Sequence, residues 1–284
     1  MPALAAPAIF VLIWSTGFIV ARGALPYAET ATLLAIRYVI ATAVLALLAL
    51  AMRAPWPRGA GTWGHLLVVG MLMHVGYIGG VFASIERQMP AGVSALLVSL
   101  QPLLTAILAG PLLGEVVSLR QWIGLLLGLA GAGLVIWEKA GIGEATTVSV
   151  GLSAVALLGI TLGTLYQKRF VSGMDLRSGM AVQYGYAALA YIVGAVLFES
   201  MTVRWTAEFL GAMVWAVLAL SIGANMLLFW LIRRGAASKV AALFYLVPPC
   251  TALIALLLFG ETFGVVALFG MGVTVAGVAL ASRG

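Results

Sequence analysis

The chain has 284 residues, 63% of them hydrophobic and only 8% charged, with a mean hydropathy of +1.15. Soluble domains carry about 25% charged residues, so this composition excludes a soluble fold and leaves a polytopic membrane protein. The formal charge of +6 is not a nucleic-acid patch, because most of the basic residues sit in the breaks between apolar runs and act there as a topology signal.

One apolar span needs about 20 residues. In chain order the pattern predicts spans at 3–22, 30–52, 63–84, 91–112 and 118–137, then 151–170, 178–198, 208–232, 238–259 and 263–282. The first run lacks a basic leader-type flank and is read as a span, not as a cleaved signal. No loop between spans is long enough for a separate soluble domain. Trp56, Trp63, Trp122, Trp137 and Trp205 fall near span ends, as an interfacial belt requires. Trp14 instead falls near the centre of span one, where it either packs in the bundle or lines a wet cavity. The single cysteine, Cys250, permits no internal disulfide and no cysteine-based zinc site. No metal or cofactor is expected.

The stretch Ala91–Glu115 recurs as Ala237–Glu261 at a constant offset of 146 residues without a gap. Eleven of its 25 positions are identical, including Pro102/Pro248, Gly114/Gly260 and Glu115/Glu261. Composition alone gives roughly two or three. The same offset pairs Gly17 with Gly163, Arg22 with Lys168, Tyr38 with Tyr184 and Arg87 with Arg233. The chain therefore reads as two copies of one five-span unit, residues 1–140 and 147–284. Five is odd, so the second copy enters the membrane upside down. The expected fold is an all-α integral membrane protein of ten transmembrane helices in two five-helix inverted-topology repeats. The fifth and tenth spans carry Gly124, Gly128 and Gly131, then Gly270, Gly272 and Gly277, spacings that suit close helix packing.

With the amino terminus inside, Arg53, Arg58, Arg120, Lys168, Arg169, Arg177, Arg233, Arg234, Lys239 and Arg283 are on the inner side. Only Arg22, Arg87, Lys139 and Arg204 are outside. This asymmetry predicts both termini in the cytoplasm of a bacterial-type cell with the chain in its inner membrane.

Polar residues at membrane depth mark pathways, because an unsatisfied polar group in hydrocarbon is costly. They cluster in the paired spans three, four, eight and nine. The candidate substrate-binding residues are Trp14, His74, Tyr77, Ser99, Gln101, Asn225, Phe244 and Tyr245, with Ser221, Tyr166, Gln167, Gln183 and Tyr184 as further polar candidates. Each of these also has a plain reading as a satisfied interior side chain. Pro102, Pro248 and Pro249 remove helical hydrogen bonds, and Gly76, Gly79 and Gly80, with Gly70, weaken span three, so these are the candidate hinge or gating positions; a static kink is the alternative.

Every carboxylate falls at or near a predicted span boundary, and none is placed mid-bilayer as a proton relay would be. Arg37 and His74 are the ionisable residues well inside spans. His74 is the available substitute for a proton-coupling carboxylate. Arg37 is shallow enough to snorkel to the outer surface, with contact to an anionic substrate as the alternative.

The five-plus-five repeat, the Trp14-Ser15-Thr16-Gly17-Phe18 run and the paired spans that run from a proline to Gly-Glu resemble the drug/metabolite transporter superfamily, in its EamA-repeat branch. The resemblance covers essentially the whole chain. More narrowly the chain resembles YddG-type exporters of aromatic and other amino acids. That resemblance implies a central cavity built by spans one, three, four, six, eight and nine, with five and ten as scaffold, and export from the cytoplasm. Such a cavity is usually aromatic, and Trp14, Tyr77, Phe244 and Tyr245 are the residues that suit it. Ser99, Leu100 and Gln101 make the fourth span less aromatic than a strict aromatic exporter implies, which leaves room for a broader range of amino acids.

The expected function is thus secondary export of amino acids or related small metabolites by alternating access. The partners are the solute and the bilayer, with no nucleic acid and no obligate protein partner. The competing readings are efflux of amphipathic cations or drugs, and a passive metabolite channel. An intramembrane enzyme is not expected. Gly92-Val93-Ser94-Ala95 half resembles a serine-protease nucleophile, but His65 and His74 both lie upstream of it, which reverses the order of nucleophile and base.

Overall fold

A computed structural model of the chain describes residues 5–89, 94, 97–137, 146–259 and 264–282. Ala91, Ala95, Gly260 and Glu261 of the echoed stretch lie outside the described residues. So do Gly92 and Val93, and Glu138, Lys139, Glu144 and Arg283 among the charges outside the apolar runs.

The described residues are helical apart from loops and one isolated antiparallel bridge between Ala28 and Val203. Six helices are long and apolar enough to cross a membrane. They are α3 (Thr30–Ala51), α4 (Ala60–Glu86), α7 (Thr147–Val171), α8 (Leu176–Phe198), α9 (Ala207–Arg234) and α12 (Val265–Ser282). Shorter apolar helices are α1 (Ala5–Ser15), α2 (Gly17–Ala24), α5 (Gln101–Leu113), α6 (Leu119–Trp137) and α11 (Val247–Phe259), with the small α10 (Ala237–Ala242) before the last. Exposed side chains on these helices are large and apolar, for example Leu47 and Leu50 on α3, Leu189 and Val196 on α8, and Val265 and Phe269 on α12. That surface suits lipid, and the chain is a multi-pass membrane protein.

Helix starts are tied by side chains, as they must be where water is scarce. Thr146 and Ser149 form a capping box at α7, Asp175 accepts from the Arg177 and Ser178 N–H groups at α8, and Thr206 accepts from Phe209 at α9. At α3 the cap comes from far along the chain. The Glu199 carboxylate accepts from the Ala31 N–H (2.6 Å), the Thr32 N–H (2.7 Å) and Thr32 Oγ1 (2.8 Å).

Several predicted spans are not continuous α-helices. The first breaks at Thr16, between α1 and α2. In the fourth, a turn at Ser99–Leu100 precedes α5. In the ninth, a 3₁₀ run at Leu243–Leu246 separates α10 from α11. Pro102 and Pro248 each stand second in the α-helix that follows, so the break falls ahead of the proline, where its ring would clash with a continuing turn. The third and eighth spans are unbroken, but α4 is π-helical over Gly70–Gly79 and α9 over Ala216–Ala224. Hydropathy carries no sign of that wider turn.

Element boundaries keep the sequence offset. α5 and α11 both begin and end 146 residues apart, and the starts of the two π-helical segments, of α3 and α8, and of α6 and α12 do the same. The equivalent helices also pack on each other antiparallel. Gly124 meets Gly277 and Ala281, while Gly131 meets Gly270 and Thr274. Between α3 and α8, Ala31 lies near Gly194 and Thr42 near Gly185. Gly272 does not belong to this seam: nothing lies within 4 Å of where its Cβ would be. It stands two residues from Gly270, on another face of the helix, whereas Gly277 stands two turns on along the same face.

Candidate functional site

The two ends of the bundle are tied by different groups. At one end the Ala28–Val203 bridge and the Glu199 cap are joined by Thr30 N–H donating to Glu86 (3.1 Å) and Arg204 N–H donating to Tyr27 O (2.9 Å). At the other, His65 pairs with Tyr166 (2.8 Å) and Ser178 donates to Pro55 O (2.6 Å). Glu115 gathers three segments at that same end. Lys168 Nζ donates to its carboxylate (2.7 Å) and to Gly235 O (2.6 Å), while the Ala237 N–H (2.9 Å) and the Ser238 N–H and hydroxyl (both 3.4 Å) also reach Glu115. The echoed Gly-Glu pair thus ends α5 on a left-handed glycine, Gly114 (φ 71°), and turns the carboxylate into a latch.

Burial pushes the Glu115 carboxyl up, but Lys168 and the Ala237 and Ser238 N–H groups outweigh that and hold it below the ordinary glutamate value of 4.5. A depressed folded-state pKa gives stabilisation that is present above the unfolded value and lost as pH falls through the folded one. The difference in melting temperature between the wild type and Glu115→Gln is therefore full above pH 4.5 and closes only below it. An equal difference at pH 7 and pH 3.5, read by thermal unfolding in detergent, would contradict the latch.

Away from the latch, towards the end that holds Ala24, Thr30 and Glu86, lies a cavity of about 460 Å³, partly open. This is within the range of about 300–1,000 Å³ that small-molecule sites occupy. The break at Thr16 brings Trp14 and Gly17 to its wall, α4 contributes Tyr77 and Phe82, α3 contributes Arg37, and α9 contributes Leu220 and Asn225. Trp14 is the hub of an aromatic group: it stacks on Tyr77 with ring centroids 6.3 Å apart and meets Phe10 at 5.1 Å and Phe244 edge-on at 5.3 Å. In the wide turn of α9, Asn225 Nδ2 donates to Leu220 O (3.0 Å).

Of the eight residues expected from sequence to bind substrate, the cavity wall includes Trp14, Tyr77 and Asn225, with Phe244 packed on Trp14. His74 stands in a buried neighbouring cluster. Its Nδ1 is 3.4 Å from the Tyr38 hydroxyl, and its carbonyl accepts from Tyr191 Oη (2.6 Å). Tyr38, Tyr184 and Tyr191 pack around it, and the repeat-equivalent Tyr38 and Tyr184 meet edge-on at 5.1 Å. Gln101 is buried and donates to Thr105 (3.3 Å); Ser99 is buried too, and neither is among the wall residues. Tyr245 is fully buried on the opposite side, against Leu125, Ala132 and Val278 of α6 and α12, and Gly128 faces its ring. Ser94, the fragment that resembled a nucleophile, bonds with Ser84 and Ser153 (both 3.2 Å). The candidate hinges Gly79 and Gly80 are also close-contact points: a Cβ on Gly80 would lie 2.7 Å from Leu152 O, and one on Gly79 2.6 Å from Tyr191 Oη. Gly76, Pro102, Pro248 and Pro249 sit at or beside the π-helical and 3₁₀ irregularities.

Arg37 corrects the sequence reading most. It does not snorkel to the surface: it is 4% exposed and turns inward, its Nε donating to Ser221 Oγ (2.8 Å). Ser221 O in turn accepts from Tyr184 Oη, which links the cavity wall to the tyrosine–histidine cluster. Phe82 and Leu220 were not anticipated, and nothing in an apolar run distinguishes a cavity-lining phenylalanine from a lipid-facing one.

Comparison with known proteins gives a consistent result. The model of the EamA-like transporter family matches residues 2–137 and again 147–283. A Bacillus subtilis (strain 168) protein named as the uncharacterized transporter YvbV is 28% identical over 243 residues, 85% of this chain and 78% of that one. A Streptantibioticus cattleyicolor protein named as a probable terminal-alkyne amino-acid exporter is 28% identical over 203 residues, 70% of this chain and 66% of that one. A solved crystal structure superposes with a TM-score of 0.80 over 98% of this chain and 95% of its own, at 22% identity, which is a likeness of fold.

Proposed function

The chain belongs to the EamA-like transporter family, and from that premise we propose that it is a secondary transporter exporting amino acids, aromatic ones and others, or related small metabolites across the inner membrane. The observation that carries this reading is the cavity. It joins an aromatic wall of Trp14, Tyr77 and Phe82 to two polar groups, Arg37 and Asn225, at a depth where each helix is otherwise apolar. The amino-acid exporter among the relatives supports the substrate class.

The proposed architecture is ten spans in two five-helix units, residues 1–140 and 147–284, inserted in opposite senses. The recurrence of element boundaries at 146 residues and the antiparallel packing of α3 on α8 and of α6 on α12 support it. With both termini in the cytoplasm, the Glu115 latch closes the inner side while the cavity lies nearer the outer side. Alternating access then requires the latch to open. The breaks before Pro102 and Pro248 and the π-helical segments with Gly76, Gly79 and Gly80 are where the backbone is least committed to one hydrogen-bond register.

The test is efflux of labelled amino acids from proteoliposomes. Saturable efflux accelerated by unlabelled substrate on the far side is expected. A passive channel would show no such acceleration, and no flux of any amino acid would overturn the reading. Efflux of amphipathic cations is less well supported, because the charge on the cavity wall is positive.

A further inference from the structure

Arg37 places a full positive charge at the cavity, and among the described residues no carboxylate balances it. The carboxylates at that end of the bundle have other partners. Glu199 caps α3, Glu86 accepts from Thr30 and pairs with Arg87 (3.5 Å), and Glu29 accepts from the Ser200 N–H (2.8 Å) and hydroxyl (2.6 Å). The other titratable groups packed near it are neutral tyrosines and His74. An uncompensated buried charge costs several kcal/mol, more than a purely structural role would require of a residue in an apolar helix. Ser221 holds the Nε edge of the guanidinium, and neither Nη nitrogen takes a protein acceptor among the described residues. The unfilled edge is the one that binds a carboxylate through two parallel hydrogen bonds.

We propose that Arg37 anchors the carboxylate of the transported solute, so that the site selects compounds joining a carboxylate to an apolar or aromatic body. Trp14, Tyr77 and Phe82 take the body. Asn225 offers a neutral amide where an ammonium would otherwise find a carboxylate, so recognition tolerates loss of the α-amino group and does not tolerate loss of the acid. The proposal rests on the transporter reading for its physiological meaning, yet it is measurable as binding alone.

The test is titration of the purified protein in nanodiscs with four probes: L-phenylalanine, 3-phenylpropionate, phenethylamine and L-phenylalanine amide. The two acids bind, and the two amines bind at least about tenfold more weakly, the factor expected of a hydrogen-bonded charge pair. Arg37→Gln weakens the acids by at least about tenfold and leaves the amines unchanged, and Arg37→Lys recovers part of the loss. If Arg37→Gln does not fold, the wild-type preference together with Arg37→Lys carries the test. Failure of 3-phenylpropionate to bind the wild type, equal binding of acids and amines, or an undiminished acid preference in Arg37→Gln each overturns the anchor. Acid binding that depends on Arg37 without flux in proteoliposomes would sink the transport reading and leave the anchor standing. Phenylalanine efflux that is indifferent to Arg37 would do the reverse.

Discussion

Gly124→Leu abolishes folded protein. A Cβ at this position would lie 2.5 Å from Ala281 N and 2.6 Å from Gly277 O, both backbone atoms of α12 that cannot rotate aside as a side-chain tip can. Helices in lipid have no solvent-driven reason to associate, so the α6–α12 seam depends on close contact, and a leucine there pries it open. Overpacking a core by a few methylenes costs about 1–3 kcal/mol even where neighbours can yield; against a rigid backbone the cost exceeds that range. The measurement is monodisperse yield by size-exclusion chromatography in detergent, expected to fall at least about tenfold. Gly272→Leu, in the same helix, is the internal control: open space lies where its side chain would go, and its yield stays at the wild-type level. If both variants behave alike, the seam is wrongly placed.

Trp14→Ala eliminates transport by a different route. The indole forms one wall of the cavity and is held by Phe10, Phe244 and Tyr77, so its removal both enlarges the site and frees the rings that shape it. Truncating a buried aromatic residue costs about 3–5 kcal/mol in a closed core; with one face on an open cavity the loss of stability is smaller, and folded yield is retained. Amino-acid efflux is expected to drop at least about tenfold, while Trp14→Phe, which keeps an aromatic surface, retains most of it. Tyr77→Ala follows Trp14→Ala. A transport loss that tracks yield across these variants would mean that Trp14 is a packing residue and not part of the site.

The contrast between these variants shows what the sequence discloses. Duplication was legible because identity at a fixed offset survives in an apolar composition, and the bounds of α5 and α11 keep that offset. The breaks ahead of Pro102 and Pro248 were legible in place, since proline acts through the missing N–H and its ring, though not as the turn and the 3₁₀ run that replace the helix there. The π-helical stretches in α4 and α9 were not legible, because a change of hydrogen-bond register leaves no trace in hydropathy. Membership of the cavity wall was half legible. Depth identified Trp14, Tyr77 and Asn225, but depth without direction cannot separate Tyr77, on the wall, from Tyr245, which faces the glycine of a neighbouring helix. Arg37 was misjudged for the same reason: its distance from the span end allowed snorkelling, and only the position of Ser221 on α9 shows that the guanidinium turns inward.

The opposed insertion of the two halves around this cavity is tested most directly by membrane-impermeant thiol labelling in intact cells. The background is Cys250→Ala, and single cysteines replace Arg58 and Arg204, exposed residues at equivalent positions in the two units. The account predicts that the cysteine at 204 is labelled from outside and the one at 58 only after the membrane is permeabilised. Labelling of both from the same side would show the halves to be parallel and would contradict it.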